Sequence, residues 1–193
     1  MTLSYAELSS GVRAHLEQEH RFGHIVRVAR LADVLAQAHG LDARKARTAG
    51  MLHDLARLYS NQRLIEECER RAMPIDAFER ANPVVLHARL GAELAREQFG
   101  VEDPEILSAI AKHTLGAAEM SPLDCVVYLA DGLEPLRDFP ERTALVALAE
   151  NDLRAAMAAT IGLTMRYLQK KGIAVAPQTA AAARIFGAPT QEN

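Results

Sequence analysis

Apolar residues along most of this chain recur every three or four positions, the spacing of helices with one buried face, and no alternating β-branched stretch of strand length interrupts them. The pattern predicts an all-α helical bundle. A first helix is expected from about His20 to Gly40, and Asp42 can cap a second running to about Tyr59. Asn82-Pro83 opens a third that stops at Gly100, Asp103-Pro104 precedes one reaching about His113, and Ser121-Pro122 precedes one ending near Pro135. A long amphipathic stretch from about Thr143 to Lys171 is closed by Gly172, and a short helix near Thr179 to Phe186 leads into a polar tail. Residues 60–80 read as less regular. No repeat, linker or composition break divides the chain, so one domain over 1–193 is expected, with its core at about 12–172 and a C-terminal helix and tail at 173–193.

The same helical faces carry histidines. His24 shares a face with Val28, Leu31 and Leu35, and His53 with Ala46, Ala49 and Ala56. His87 falls in line with Leu90, Gly91 and Leu94, and His113 with Ile106, Ala109 and Ile110. A single inward histidine is usually a core residue with its hydrogen bonds met. A group of them needs partners, and Asp54, next to His53, and Asp131, near the inner face of its helix, supply carboxylates. His15, His20 and His39 lack such company. The ordered set His24, His53-Asp54 and Asp131 is a ligand group for one divalent metal, with Fe, Mn, Co, Ni or Zn suited better than Mg to nitrogen and oxygen donors without thiolate. Such an ion acidifies water and neutralises phosphate oxygens. Arg21, Arg57 and Arg137 stand close to these residues in sequence, and arginine offers a bidentate fork to phosphate.

Composition narrows the classes. At 193 residues the chain can bury a sizeable core without a disulfide, and Cys68 and Cys125 are isolated. A formal charge of −3 gives no basic surplus for nucleic acid, and the longest uncharged apolar run, Ala155 to Met165, is shorter than the ~20 residues a membrane helix needs. Met1 to Ser10 shows no secretory signal, so a cytoplasmic protein is expected.

Three segments carry a family resemblance: Arg21 to Arg57, which includes HDLAR, Leu86 to Gly116, which ends in HTLG, and Met120 to Pro140, which includes ADGLEPLR. With weaker likeness reaching YLQKKG at Tyr167 to Gly172, the chain resembles the HD-domain metal-dependent phosphohydrolases, and within them the symmetrical bis(5'-nucleosyl)-tetraphosphatases. The resemblance implies that His24, His53, Asp54 and Asp131 bind iron, leaving room for a second ion. It implies too that Arg21, Asp54, Leu55, Ala56, Arg57, His87, His113, Thr114 and Arg137 contact a nucleotide diphosphate. Asp54, Arg57, His87 and His113 are the expected catalytic residues. The expected reaction is metal-dependent hydrolysis of diadenosine tetraphosphate and related dinucleoside polyphosphates to two nucleoside diphosphates. Nucleotidase or phosphodiesterase action on another nucleotide, and a non-catalytic ADP-binding module, are the alternatives. The resemblance is also compatible with a homodimer, and oligomeric state is left open by the sequence. The chain departs from the family at Leu55 and Gly132, where aromatics are usual, at Leu115, and at Arg57, usually lysine.

Overall fold

A computed structural model describes residues 4–188, and within them the chain is all-α, with no strand. The polar tail at 189–193 and residues 1–3, part of the stretch searched for a signal, lie outside the described residues. The helices are α1 (Tyr5–Leu16), α2 (Glu19–Ala38), α3 (Ala43–Leu52), α4 (Asn61–Arg70), α5 (Ala77–Ala81), α6 (Leu86–Phe99), α7 (Pro104–Lys112), α8 (Pro122–Leu133), α9 (Arg142–Asn151), α10 (Leu153–Lys170) and α11 (Pro177–Phe186).

The capping residues act as the sequence suggests. Asp42 accepts from the amides of Arg44 and Lys45, Asp103 from Glu105, and Ser121 forms a reciprocal box with Asp124 at the start of α8. Four expectations are corrected. Helix α1 was not anticipated, although Ser4 and Glu7 form a capping box at its start. Residues 60–80 hold α4, capped by Ser60, and α5, capped by an Asp76–Glu79 box; α4 is mostly exposed and buries only Leu64 and Cys68, so its apolar stripe is narrow. The helix from Asp42 ends at Leu52 rather than Tyr59, because from His53 onward the backbone tightens into turns with Arg57 bonded to Asp54 and Tyr59 to Ala56. The stretch from Thr143 to Lys171 is two helices, since Asp152 leaves the helical conformation and caps α10 by accepting from the Ala155 amide. A 3-10 turn over Pro83–Val85 likewise precedes α6.

Helix α2 packs most extensively on α3, and α8 lies against α2, α3 and α7, with α6 on α7. Gly50 permits the α2–α3 approach: a Cβ there would lie 2.8 Å from the Ala29 Cα. Ile25, Leu35, Leu52, Leu90, Ile110 and Leu129 are fully buried between these helices, each contributing roughly 1.5–3 kcal/mol of burial. The polar cluster sits where these five helices converge.

Candidate metal centre

Five parts of the bundle deliver the six polar side chains of the cluster. His24 projects from the second turn of α2, His53 and Asp54 from the turn closing α3, His87 from the first turn of α6, His113 from the residue ending α7, and Asp131 from the last turn of α8. His24, His53, Asp54, His87 and His113 are buried, and Asp131 is partly exposed. The His24 Nε2 lies 3.2 Å from Asp131 Oδ1 and 3.6 Å from Asp54 Oδ2. The His53 Nε2 lies 3.5 Å from Asp54 Oδ2 and 3.9 Å from Asp131 Oδ1. Gly91 backs this arrangement, since a Cβ there would stand 3.2 Å from the His53 carbonyl oxygen.

The hydrogen bonds fix how the rings face. His53 Nδ1 donates to the Gly50 carbonyl at 2.7 Å, His113 Nδ1 to Ile110 at 2.7 Å, and His87 Nδ1 to Val84 at 2.5 Å. His24 Nδ1 lies 3.2 Å from Glu134 Oε1. Every Nε2 therefore faces the cluster. Those of His24 and His53 are buried without any hydrogen-bond partner, and a buried nitrogen lone pair left unpaired is costly. Two such lone pairs beside two carboxylates fit a divalent metal, and the donor atoms of His24, His53 and Asp131 all lie within 4.8 Å of one another. His53, Asp54 and His113 form a second group meeting the same limit.

Electrostatics favour the charge states such a centre needs. Burial alone would raise the carboxyl of Asp131, but His24, His53, His113 and Arg137 hold it well below its usual range. Asp54 follows the same logic, with burial opposed by His53, His113 and His87. Burial, aided by His113, pushes His87 down to about 4, and burial with His53 also lowers His113, so both are neutral imidazoles near neutral pH.

A pocket of about 270 Å³ opens onto the cluster, lined by Arg21, Asp54, Arg57, Val84, Val85, His87, Thr114, Asp131 and Arg137. Arg21 Nη1 donates to Asp54 Oδ2 at 2.9 Å, and Arg137 Nη2 to Asp131 Oδ1 at 2.7 Å. The Thr114 hydroxyl lies 3.1 Å from His87 Nε2 and 3.0 Å from His113 Nε2. Of the residues expected at a nucleotide, Leu55, Ala56 and His113 do not line this pocket; Leu55 and Ala56 are buried in the core, and His113 is buried in the cluster behind His87 and Thr114. The Leu55 carbonyl instead accepts from His15 Nε2 at 2.8 Å, so His15, read as lacking company, braces the turn that carries Asp54. Glu134, Arg27 and the Val84-Val85 rim are further contributors that periodicity did not single out. Glu134 lies one helical turn beyond Asp131, and that spacing was the available signal.

A helical bundle converging histidines and aspartates on an arginine-rimmed pocket is the arrangement of a metal-dependent phosphohydrolase. The HD domain family matches residues 21–136. Symmetrical bis(5'-nucleosyl)-tetraphosphatase of Bacillus subtilis is 39% identical over 161 residues, covering 83% of this chain and 86% of that protein. The protein of the same name from Halalkalibacterium halodurans is 34% identical over 170 residues, covering 88% and 90%. A crystal structure from Clostridium acetobutylicum, described as a "predicted HD superfamily hydrolase involved in NAD metabolism", superposes with a TM-score of 0.91 at 30% identity, covering 96% of this chain and 98% of that one. The chain belongs to the HD-domain family, on the branch that holds the symmetrical bis(5'-nucleosyl)-tetraphosphatases.

Proposed function

We propose that this protein hydrolyses diadenosine tetraphosphate and related dinucleoside polyphosphates between the two central phosphates, releasing two nucleoside diphosphates. The observation that carries the reading is the pair of unpartnered buried nitrogens, His24 Nε2 and His53 Nε2, beside Asp54 and Asp131 under an arginine-rimmed pocket. The relatives' names supply the substrate. His24, His53, Asp54 and Asp131 would hold the metal, and we read it as iron. When bound, a divalent cation supplies Lewis acidity to phosphoryl oxygen and acidifies water.

The chain's own groups do the rest. Water adds across the central P–O–P linkage: one phosphorus–oxygen bond forms, the bridging one breaks, and the proton released by water is accepted at an Asp54 carboxylate oxygen, beside its Arg21 partner. Arg57 makes no side-chain hydrogen bond among the described residues, so it is free to fork onto a phosphate. Arg137, now held on Asp131, stands beside the departing diphosphate. The Thr114 hydroxyl, 3.1 Å from His87 Nε2 and 3.0 Å from His113 Nε2, can turn its proton to the bridging oxygen, and either imidazole becomes a donor there on taking up the proton that Asp54 receives from water. Two imidazoles whose Nδ1 protons are committed to backbone carbonyls present two lone pairs across that 3.2 Å, and Asp54 Oδ1 is 3.4 Å from His87 Nε2. That crowding of acceptors also suits a second cation there.

No helix of the described residues is long and apolar enough to cross a membrane, which accords with a cytoplasmic enzyme acting on a small nucleotide. We also infer a homodimer and a single domain. Incubation with diadenosine tetraphosphate tests the reaction. ADP as sole product is expected. ATP with AMP, or phosphate release from a nucleoside monophosphate without turnover of the tetraphosphate, overturns it.

A further inference from the structure

Three of the cluster's histidines satisfy Nδ1 with a backbone carbonyl three residues earlier: Gly50 for His53, Val84 for His87 and Ile110 for His113. Each of them sits at a helix end or in a first turn, where local carbonyls can be reached. His24 cannot use that device, because it lies in the second turn of α2, where the carbonyls of the preceding turn are consumed by the helix. Its Nδ1 is met by Glu134, a side chain 110 residues distant.

Glu134 is held for this contact. It is 3% exposed at the end of α8, its Oε2 accepts from Arg27 Nε at 2.6 Å and from the Leu136 amide at 2.9 Å, and its carbonyl accepts from the Arg137 amide and from Arg142 Nε. Arg27 follows His24 by nearly one turn on α2, so the three side chains form a line, Arg27 to Glu134 to His24, that ends on the unpartnered Nε2. An ionised carboxylate has no proton to give, so the proton of this pair resides on His24 Nδ1 and the Nε2 lone pair is turned toward Asp54 and Asp131.

We propose that Glu134 is a positioning residue for the metal site: it sets the tautomer and orientation of His24, with Arg27 holding the carboxylate in place. The same residue ties this imidazole to the turn that carries Arg137, so ligand geometry and the pocket's arginine are set together. The proposal rests on the reading of the cluster as a divalent-metal site.

Titration of metal-free protein with Co²⁺, followed by calorimetry and by the visible absorption of the bound ion, tests it. Glu134→Ala is expected to bind Co²⁺ about 10- to 100-fold more weakly than the parent, and Glu134→Gln, whose amide oxygen can still accept from Nδ1, to recover part of that loss. Equal Co²⁺ affinity in the parent and in a folded Glu134→Ala protein overturns the positioning role while leaving the metal reading standing. Absence of Co²⁺ binding by the parent overturns both. Should Glu134→Ala fail to fold, long-range proton–nitrogen NMR of the metal-free parent at alkaline pH decides: a proton on His24 Nδ1 supports the proposal, and a proton on Nε2 overturns it.

Discussion

The two sides of the polar cluster solve the same problem differently. On the side of α2 and α3, His24 Nε2 and His53 Nε2 are buried with nothing to bond, and two carboxylates face them. On the side of α6 and α7, His87 Nε2 and His113 Nε2 reach each other and the Thr114 hydroxyl, and His87 and Thr114 line the pocket. One side leaves two buried nitrogens without a partner, the position proposed for the cation. The other is partly satisfied within the protein and open to whatever enters. Asp54 belongs to both, with Oδ2 toward His24 and His53 and Oδ1 toward His87 and His113. On the proposed reading, burial without a partner, more than histidine count, marks the metal position off from the substrate-facing one.

The largest effects should come from the unsatisfied side. His53→Ala or Asp54→Ala should abolish metal binding and lower turnover by on the order of 10³-fold or more, the loss of several kcal/mol of charge stabilisation. Elemental analysis beside the turnover assay checks this, and parent-level turnover with full metal in Asp54→Ala would remove that carboxylate from the reaction. Chelation of the parent should reproduce the loss, and re-addition of metal should restore it.

A smaller effect is expected on the pocket side. His113→Gln and Thr114→Val should cost about a hundredfold in kcat while the ion held by His24, His53, Asp54 and Asp131 stays bound, the size of a proton-transfer or hydrogen-bond contribution. Loss of metal in either would merge the two sides into one site. Smaller again is Arg57→Lys, which keeps the charge but loses the fork; KM should rise by about tenfold with little change in kcat.

The smallest effect is on the stability of the metal-free protein toward acid. His87 titrates at about 4 when folded against 6.5 for an unperturbed imidazole, so the unfolded chain binds the extra proton between those values. Stability from this residue is therefore complete above about pH 6.5 and is lost as pH falls toward about 4. The lowered carboxyls of Asp54 and Asp131 add losses in the same direction at lower pH. Denaturant midpoints measured across this range should fall with pH, and more shallowly for His87→Asn.

Much of the fold could be read before any coordinates, and for identifiable reasons. Asp42, Asp103-Pro104 and Ser121-Pro122 announce helix starts through side-chain caps, and these starts are found within a residue or so. The misses have causes of their own. Helix α4 is strongly amphipathic but short and mostly polar, with Leu64 and Cys68 alone buried, and the break at Asp152 depends on a single aspartate choosing a cap over a helical turn. The early end of α3 at Leu52 has no breaker residue to mark it.

Periodicity and residue type were enough to specify an all-α chain with inward histidines, because which face of a helix is apolar is a local property. They also supplied the His24, His53-Asp54 and Asp131 set. What no local pattern contains is distance between helices: that the His24 and His53 nitrogens are left without partners, that Leu55 and Ala56 turn into the core while Val84 rims the pocket, and that Glu134 reaches across to His24. Those facts arise when α2, α3, α6, α7 and α8 pack, since only the packed bundle decides which buried polar atoms find a partner and which must wait for a ligand.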